Sequence, residues 1–415
     1  MAGKRIIIIG AGVIGLACAH YLSKKTSEIT IIEQNTAGSG ASHGNCGLLH
    51  FSGIIPLCAP GVVTNEIIRT FKGTSPLYIK PSPDIKRMIW LMKFAACCTK
   101  SHMKKASTDK LEIMNYSAAL FEQVLKSENM QCELEKKGIL IVFRTKEEFE
   151  NYEATADFLK TYGFRPEKIA GTELEKLEPA LQTGLAGAWL INDDWHLKPD
   201  MLMKAWKHLL AEKGVIFMEN CTMTDFQVRG RTITGVNTSK GSFKADEFVL
   251  AAGAWTQKLA EQLNLRLPVH PGKGYSITME RPEICPEFPC LLYENNMVAT
   301  PWKTGWRLGG TMEFSGFSLD LNRRRLDRLI SGAEAFLKQP MGSPVIEEWA
   351  GLRPMTYDDM PVIDRARKHE NLVIATGHGM LGLTLATGTG KIVSSMIYGE
   401  KPEINIKPFS LRRFA

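Results

Sequence analysis

The sequence predicts an α/β (α+β) protein whose nucleotide-binding layer is assembled from separated segments. Three observations carry that prediction. The apolar run Ile6 to Ile9 is short, β-branched and closed by a glycine, as in a strand buried on both faces of a parallel sheet. Gly10, Gly12 and Gly15 follow in the spacing G-x-G-x-x-G and open a helical stretch. Two similar strand patterns, "EFVLAAGAW" and "NLVIATG", recur far downstream and run into glycine.

Taken in order, residues 12–25 read as a helix and "EITIIE" as a second strand ending at Glu33, which completes a Rossmann-like β-α-β unit. Gly138 to Phe143 and Leu185 to Asn192 alternate like strands of a mixed or antiparallel sheet. Pro199 to Glu212 reads as a helix, and "GVIFMEN" as a strand after it. Three short strands follow at Thr222 to Arg229, Thr232 to Thr238 and Ser242 to Lys244. Tyr275 to Met279 and Trp306 to Met312 add to the second sheet, and the chain closes on a strand, a Gly-rich turn and a long helix. The expected division is a discontinuous nucleotide domain of 1–86, 196–265 and 348–415, with a substrate domain of 87–195 and 266–347.

The bulk numbers exclude several classes. At 415 residues, 44% hydrophobic and 23% charged, the chain is long enough for a large core without disulfides. Its nine cysteines form no C-x-x-C pair, which fits reduced thiols in a cytoplasm. The net charge of +7 is spread out, and its densest spot, Arg323 to Arg325 with Arg328, reads as a solvated helix face rather than a nucleic-acid surface. No apolar run reaches the length of a spanning helix. Met88 to Cys98 comes nearest, and reads either as a buried core helix or as a helix lying on a membrane surface. His43, His50, His196 and His378 show no metal-ligand spacing, so no metal site is expected.

Lys4-Arg5, the apolar run and Ala17-Cys18-Ala19 also have the outline of a secretory signal. Three glycines in register and an acid at the end of the next strand argue instead for a dinucleotide. Gly10 permits the tight turn, Gly12 the approach of backbone to a pyrophosphate, and Gly15 close helix–strand packing. Glu33 lies 18 residues beyond Gly15, where a carboxylate accepts ribose hydroxyls. NAD and FAD both satisfy this much. The segment "NTAGSGASHGNCGLLH" then replaces the further β-α units of a nicotinamide enzyme. It suits backbone passing along a flat ring, and equally an ordinary surface loop.

Four segments carry a wider likeness: "IIIIGAGVIGLACAHYL" with Glu33; "GASHGNCGLL" with "LCAPGVV"; "HPGKGYSIT"; and "WAGLRPMTYDDMPVIDR" with "TGHGMLGLTLATGTGK". In them the chain resembles the FAD-dependent amino-acid oxidoreductases, the family of D-amino-acid oxidase, glycine oxidase and sarcosine oxidase, and within it the bacterial D-amino-acid dehydrogenases in particular. The resemblance runs along nearly the whole chain. It implies that Val13, Ile14, Glu33, Gln34, Ala41, Ser42, Asn45, Cys46, Gly47 and Leu48 touch FAD. It sets Met223 against the adenine and Gly253 near the pyrophosphate. It also implies a helix N-terminus aimed at the flavin, with Gly377, Gly379 and Gly382 allowing the approach beside His378, Met380, Leu381 and Leu383.

The same resemblance makes Arg307 the first expectation for a substrate-carboxylate anchor and Arg353 the second. Tyr275 is either a further donor to that carboxylate or a core tyrosine. The implied activity is oxidative deamination of a small amino acid: hydride transfer to flavin, then an imine hydrolysed to a 2-oxo acid and ammonia. The electrons pass to a quinone or another carrier, or to dioxygen in an oxidase. Relatives also oxidise glycine, sarcosine, D-proline or hydroxyproline. Two remoter readings are a flavin domain of an RNA-modifying enzyme, for whose usual extra domain the 415 residues leave no room, and an electron-transfer subunit. FAD is expected to be non-covalent, because the last cysteine is Cys290 and relatives that attach FAD use a C-terminal one. The expected location is cytoplasmic; the Met88 run adds a peripheral contact with the inner face of a membrane as a second option.

Overall fold

The structure, a computed structural model, describes residues 3–71, 77–81 and 83–414; the outermost ends of the expected nucleotide domain lie outside them. Ile6–Ile9 is fully buried and forms the centre of a six-stranded sheet. It pairs in parallel with Ile29–Ile32 on one side and Glu247–Leu250 on the other. Leu372–Thr376 extends the sheet in parallel beyond Glu247–Leu250, and Ile216–Met218 does so beyond Ile29–Ile32. Val362–Arg365 closes one edge antiparallel. Strands more than 300 residues apart in sequence thus share one sheet, as the recurring apolar runs imply.

The helix Val13–Leu22 is apolar all round and almost wholly buried, which fits an interior rather than an amphipathic position. It packs on Gly382–Tyr398, close enough that a Cβ on Gly390 would lie 2.5 Å from the backbone of Ala17. Met223–Arg229, Thr232–Thr238 and Gly241–Lys244 form a separate antiparallel sheet of three strands. The insertions build a nine-stranded, mostly antiparallel sheet around Val269–Met279, Gly305–Phe314 and Val345–Thr356.

Three contacts join segments that the sequence reading assigns to different domains. Leu77–Ile79, within 1–86, pairs with Gly305–Phe314 of the larger sheet. Val345–Thr356 begins before residue 348 and spans both bodies. The helix Lys100–Ser127, within 87–195, packs on Gly382–Tyr398, where Ser117 Oγ donates to the Thr384 carbonyl at 2.6 Å. Local pattern cannot show which layer a helix covers, because its apolar face fits either sheet.

The helix Ile85–Cys97 is not the buried core helix that its apolar sequence allowed. Its buried residues are Arg87 and Trp90, while Ile85, Met88, Ile89 and Met92 are exposed. The basic run opens the helix Arg323–Glu334. Arg323 is solvated and paired with Asp327 and Glu348, while Arg325 is mostly covered and lies over the Tyr78 ring.

Candidate cofactor and substrate site

One cavity of about 670 Å³ opens where the central strands end. Ile9, Ile32, Ala251 and Ala375, each at or just past a strand's C-terminal end, form part of its wall. Ligands of open parallel sheets bind at such a crevice, and the volume lies within the range of roughly 300–1,000 Å³ usual for ligand pockets.

The glycine fingerprint divides its labour as its chemistry requires. Gly10 holds a φ of +104°, and a Cβ there would lie 2.5 Å from the Ala251 carbonyl oxygen. A Cβ on Gly15 would lie 1.9 Å from the Gly10 carbonyl oxygen, so Gly15 serves packing and is not part of the cavity wall. Gly12 has an ordinary φ of −73°, and a Cβ there would meet nothing nearer than Ser42 Oγ at 3.4 Å. The protein's own atoms give Gly12 no steric reason to be glycine, and it lines the cavity. The helix that follows has no cap from its N-cap residue, and Ser42 reaches across to accept the Val13 N–H at 2.9 Å.

At this end of the cavity Glu33 accepts from the N–H of Ala11 at 2.9 Å and of Asn35 at 3.0 Å, which fixes its carboxylate beside Gln34 and Met223. Gly253, with a φ of +54° and open space at its Cβ, also lines the cavity. The loop after Glu33 holds itself in place. Asn45 donates to the Ser42 carbonyl at 2.8 Å and accepts the Gly47 N–H at 2.7 Å, and Ala41, Ser42, Asn45, Cys46 and Leu48 face the cavity. Burial raises the Cys46 thiol pKa, partly countered by Arg307 and Arg353. Gly47 and Gly377 stand differently from their neighbours in the motif. Both have positive φ and shape their turns, but neither forms part of the wall.

Val13 and Ile14 share the wall with Gly379 to Leu383, so two helix N-termini open on one cavity. The helix Gly382–Tyr398 also begins without a side-chain cap. Such ends carry unsatisfied N–H groups and a partial positive charge. His378 turns the chain into this helix. Its Nε2 bonds Thr389 Oγ1 at 3.0 Å, and burial holds its pKa down at about 3, so the ring is neutral.

The two arginines have different surroundings. Arg307 is 1% exposed and absent from the cavity wall. It donates to Thr278 Oγ1 at 2.9 Å and to the carbonyls of His43 at 2.9 Å and Asn45 at 2.7 Å, and lies over the Trp302 ring. It therefore clamps the loop from behind. Arg353 does form part of the wall. Its Nη1 donates to the Thr311 carbonyl at 2.9 Å, and no acidic side chain among the described residues pairs with it. A Cβ on Gly274 would lie 2.4 Å from both terminal nitrogens, so only glycine lets the guanidinium lie there. Tyr275 borders the cavity, but its hydroxyl donates to Glu313 at 2.9 Å, so it is spent within the protein.

His50, Trp255, Lys258, Gln262, Gly274 and Trp349 also form the wall, beyond the residues expected from sequence. Trp349 and Gly274 stand inside segments that carry the family likeness. His50 closes the segment "NTAGSGASHGNCGLLH" and Trp255 the segment "EFVLAAGAW", whereas Lys258 and Gln262 had no local signal.

Fold and site together define a dinucleotide-dependent redox enzyme. Residues 5–396 match the family model "FAD dependent oxidoreductase", and this chain belongs to that family. FAD is accordingly its cofactor, and the cavity brings together groups that suit a dinucleotide: the Glu33 carboxylate, two helix N-termini and a glycine-lined loop. Among curated proteins it is 32% identical over 422 residues to D-amino acid dehydrogenase of Neisseria meningitidis serogroup C, covering 99% of each chain. It is 31% identical over 420 residues to the Neisseria gonorrhoeae enzyme of that name, again with 99% coverage of both. Among solved structures, glycine oxidase from Geobacillus kaustophilus superposes with a TM-score of 0.78 at 22% identity over 99% of each chain. L-proline dehydrogenase from P. horikoshii gives 0.74 at 18% identity, covering 100% of this chain and 98% of the other.

Proposed function

We propose that this protein oxidatively deaminates a small D-amino acid and passes the electrons to a quinone or similar carrier. The reading rests on one observation above all: Arg353, a cation in the cavity wall with donors to spare and no acidic partner among the described residues. A guanidinium in that state suits the two oxygens of an amino-acid carboxylate. The D configuration and the dehydrogenase class come from the Neisseria relatives' names.

In this reading Glu33 and Gln34 hold the adenosine end of FAD, the glycine loop passes along its ring, and Gly379 to Leu383 bring a helix N-terminus against it. Bound FAD supplies the acceptor for the hydride that leaves the substrate α-carbon. The protein's own task is orientation: Arg353 holds the carboxylate and so fixes the Cα–H bond against the acceptor. The imine product then hydrolyses to a 2-oxo acid and ammonia. The deciding experiment is anaerobic bleaching of the yellow holoenzyme with D-, L- and N-methyl amino acids. Bleaching by D-amino acids alone supports the proposal, bleaching by glycine, sarcosine or L-proline assigns a different substrate, and no bleaching removes the catalytic reading.

The acceptor reading draws on the exposed helix face. Ile85 is 70% and Met92 62% exposed, with Met88 and Ile89 beside them and the exposed Lys86 and Lys93 alongside. No helix among the described residues is long and apolar enough to cross a membrane, so contact by this face would be peripheral. Flotation with anionic vesicles checks it. The wild type should float, and Met88→Glu with Met92→Glu should not.

A further inference from the structure

His50 and Asp194 form an ion pair that the reaction above does not use. Asp194 has no solvent exposure. Its Oδ2 accepts from His50 Nδ1 at 2.7 Å and from Ser52 Oγ at 2.6 Å, and its Oδ1 accepts the Ser52 N–H at 2.8 Å. His50 is the one cation within ion-pair distance of Asp194 among the described residues. Burying a carboxylate is costly unless charge or hydrogen bonds compensate it, and here His50 and Ser52 do so. Burial alone would lower the His50 pKa; the Asp194 charge and hydrogen bond outweigh it, against a smaller opposing push from Lys110, and the net shift is upward.

His50 forms part of the cavity wall, and its Nε2 has no hydrogen-bond partner among the described residues. Its backbone N–H donates to Thr384 Oγ1 at 3.0 Å, which ties it to the first turn of the uncapped helix Gly382–Tyr398. Asp194 draws His50 toward its protonated form, so the ring and the helix end favour negative charge at one place. The acidic side chain in the described wall is Glu33, which stands at the Gln34 and Met223 end. An α-carboxylate already has Arg353, on the strand Val345–Thr356.

We propose that His50, held by Asp194, is the fixed cation that stabilises the negative charge the FAD ring acquires on reduction. A hydride brings two electrons and one proton to a neutral oxidised ring, which leaves one net negative charge to be met by the protein. The inference rests on the reading of the cavity as an FAD site and not on the identity of the amino acid.

The test uses the holoenzyme and its His50→Gln variant, with flavin content and thermal midpoint recorded for both. Reduced FAD should be stabilised about tenfold less in His50→Gln, which reads as a two-electron potential about 30 mV lower. Sulfite, which forms an anionic adduct on oxidised flavin, should bind about tenfold more weakly. His50→Lys should recover most of both losses, because it restores charge without restoring the imidazole. Asp194→Asn offers an independent route, since it removes the reason for His50 to stay protonated, and must shift both readouts the same way. Unchanged potential and sulfite affinity in flavin-replete His50→Gln overturn the proposal. So does a raised KM at unchanged potential, which would assign His50 to the substrate carboxylate. Wild-type protein that binds no flavin overturns the FAD reading itself, a separate result.

Discussion

Arg353 and Arg307 differ in what their guanidinium groups have left to give. Arg307 directs Nε to Thr278 and Nη1 to the carbonyls of His43 and Asn45, whereas the Arg353 guanidinium donates from Nη1 to the Thr311 carbonyl, with Met312 Sδ at 3.9 Å. Arg353→Met should therefore raise KM for the amino acid while FAD stays bound. Hydrogen bonds to charged groups are worth roughly 1.5–3 kcal/mol, so the rise should be about ten- to a hundredfold. Steady-state kinetics at matched flavin content checks this, and an unchanged KM removes Arg353 from the site. Arg307→Met should do the reverse: orphan two loop carbonyls, weaken FAD binding by at least about tenfold, and leave KM of the flavin-replete enzyme near wild type. Fluorescence titration of apoprotein with FAD gives the dissociation constant. The sequence and the family likeness named both arginines; which one faces the cavity was not legible, because alternation along Gly305–Phe314 fixes a face of the sheet and not the partner a long side chain will find.

Among the elements, the first strand and helix show how one motif separates into structural and ligand-directed glycines. Gly15→Ala should destabilise the apoprotein, since its Cβ would overlap the Gly10 carbonyl at 1.9 Å. Gly12→Ala should leave the apoprotein midpoint nearly unchanged, its nearest neighbour being Ser42 Oγ at 3.4 Å, yet weaken FAD binding by about tenfold or more. Calorimetry of both apoproteins with FAD titration separates the two effects; equal destabilisation would remove the ligand-directed role of Gly12. The spacing alone revealed this element, because a buried strand, a positive-φ turn and an apolar helix leave local marks. The helix Ile85–Cys97 left the opposite impression. Its apolar content suggested burial, but the face carrying Ile85, Met88, Ile89 and Met92 is exposed among the described residues.

For the molecule as a whole, buried imidazoles set the response to acid. Burial lowers the pKa of His20, His196 and His270 to about 4 and of His378 to about 3. In the unfolded chain each titrates near 6.5. Between those values the unfolded state binds more protons, so stability should fall as pH drops from about 6.5 toward 4. His50 works in the other direction: its raised pKa gives a contribution that is complete below about 6.5 and lost as pH rises through the folded value. Thermal midpoints of the holoenzyme across this range should decline on the acid side, and a flat profile there contradicts the neutral, buried state of these rings.

What the sequence determined by itself is the set of elements with a local cause: the parallel strands, their glycine turns, the acid Glu33 and the Gly-rich entry to the last helix. What only the tertiary structure decided is which side chains share one cavity. His50 and Asp194 are separated by 144 residues, and Arg353 comes to lie over Gly274 through the pairing of Val345–Thr356 with Val269–Met279. Periodicity reports a residue's own strand or helix, whereas a site depends on contacts between elements distant in sequence, and those are fixed by packing.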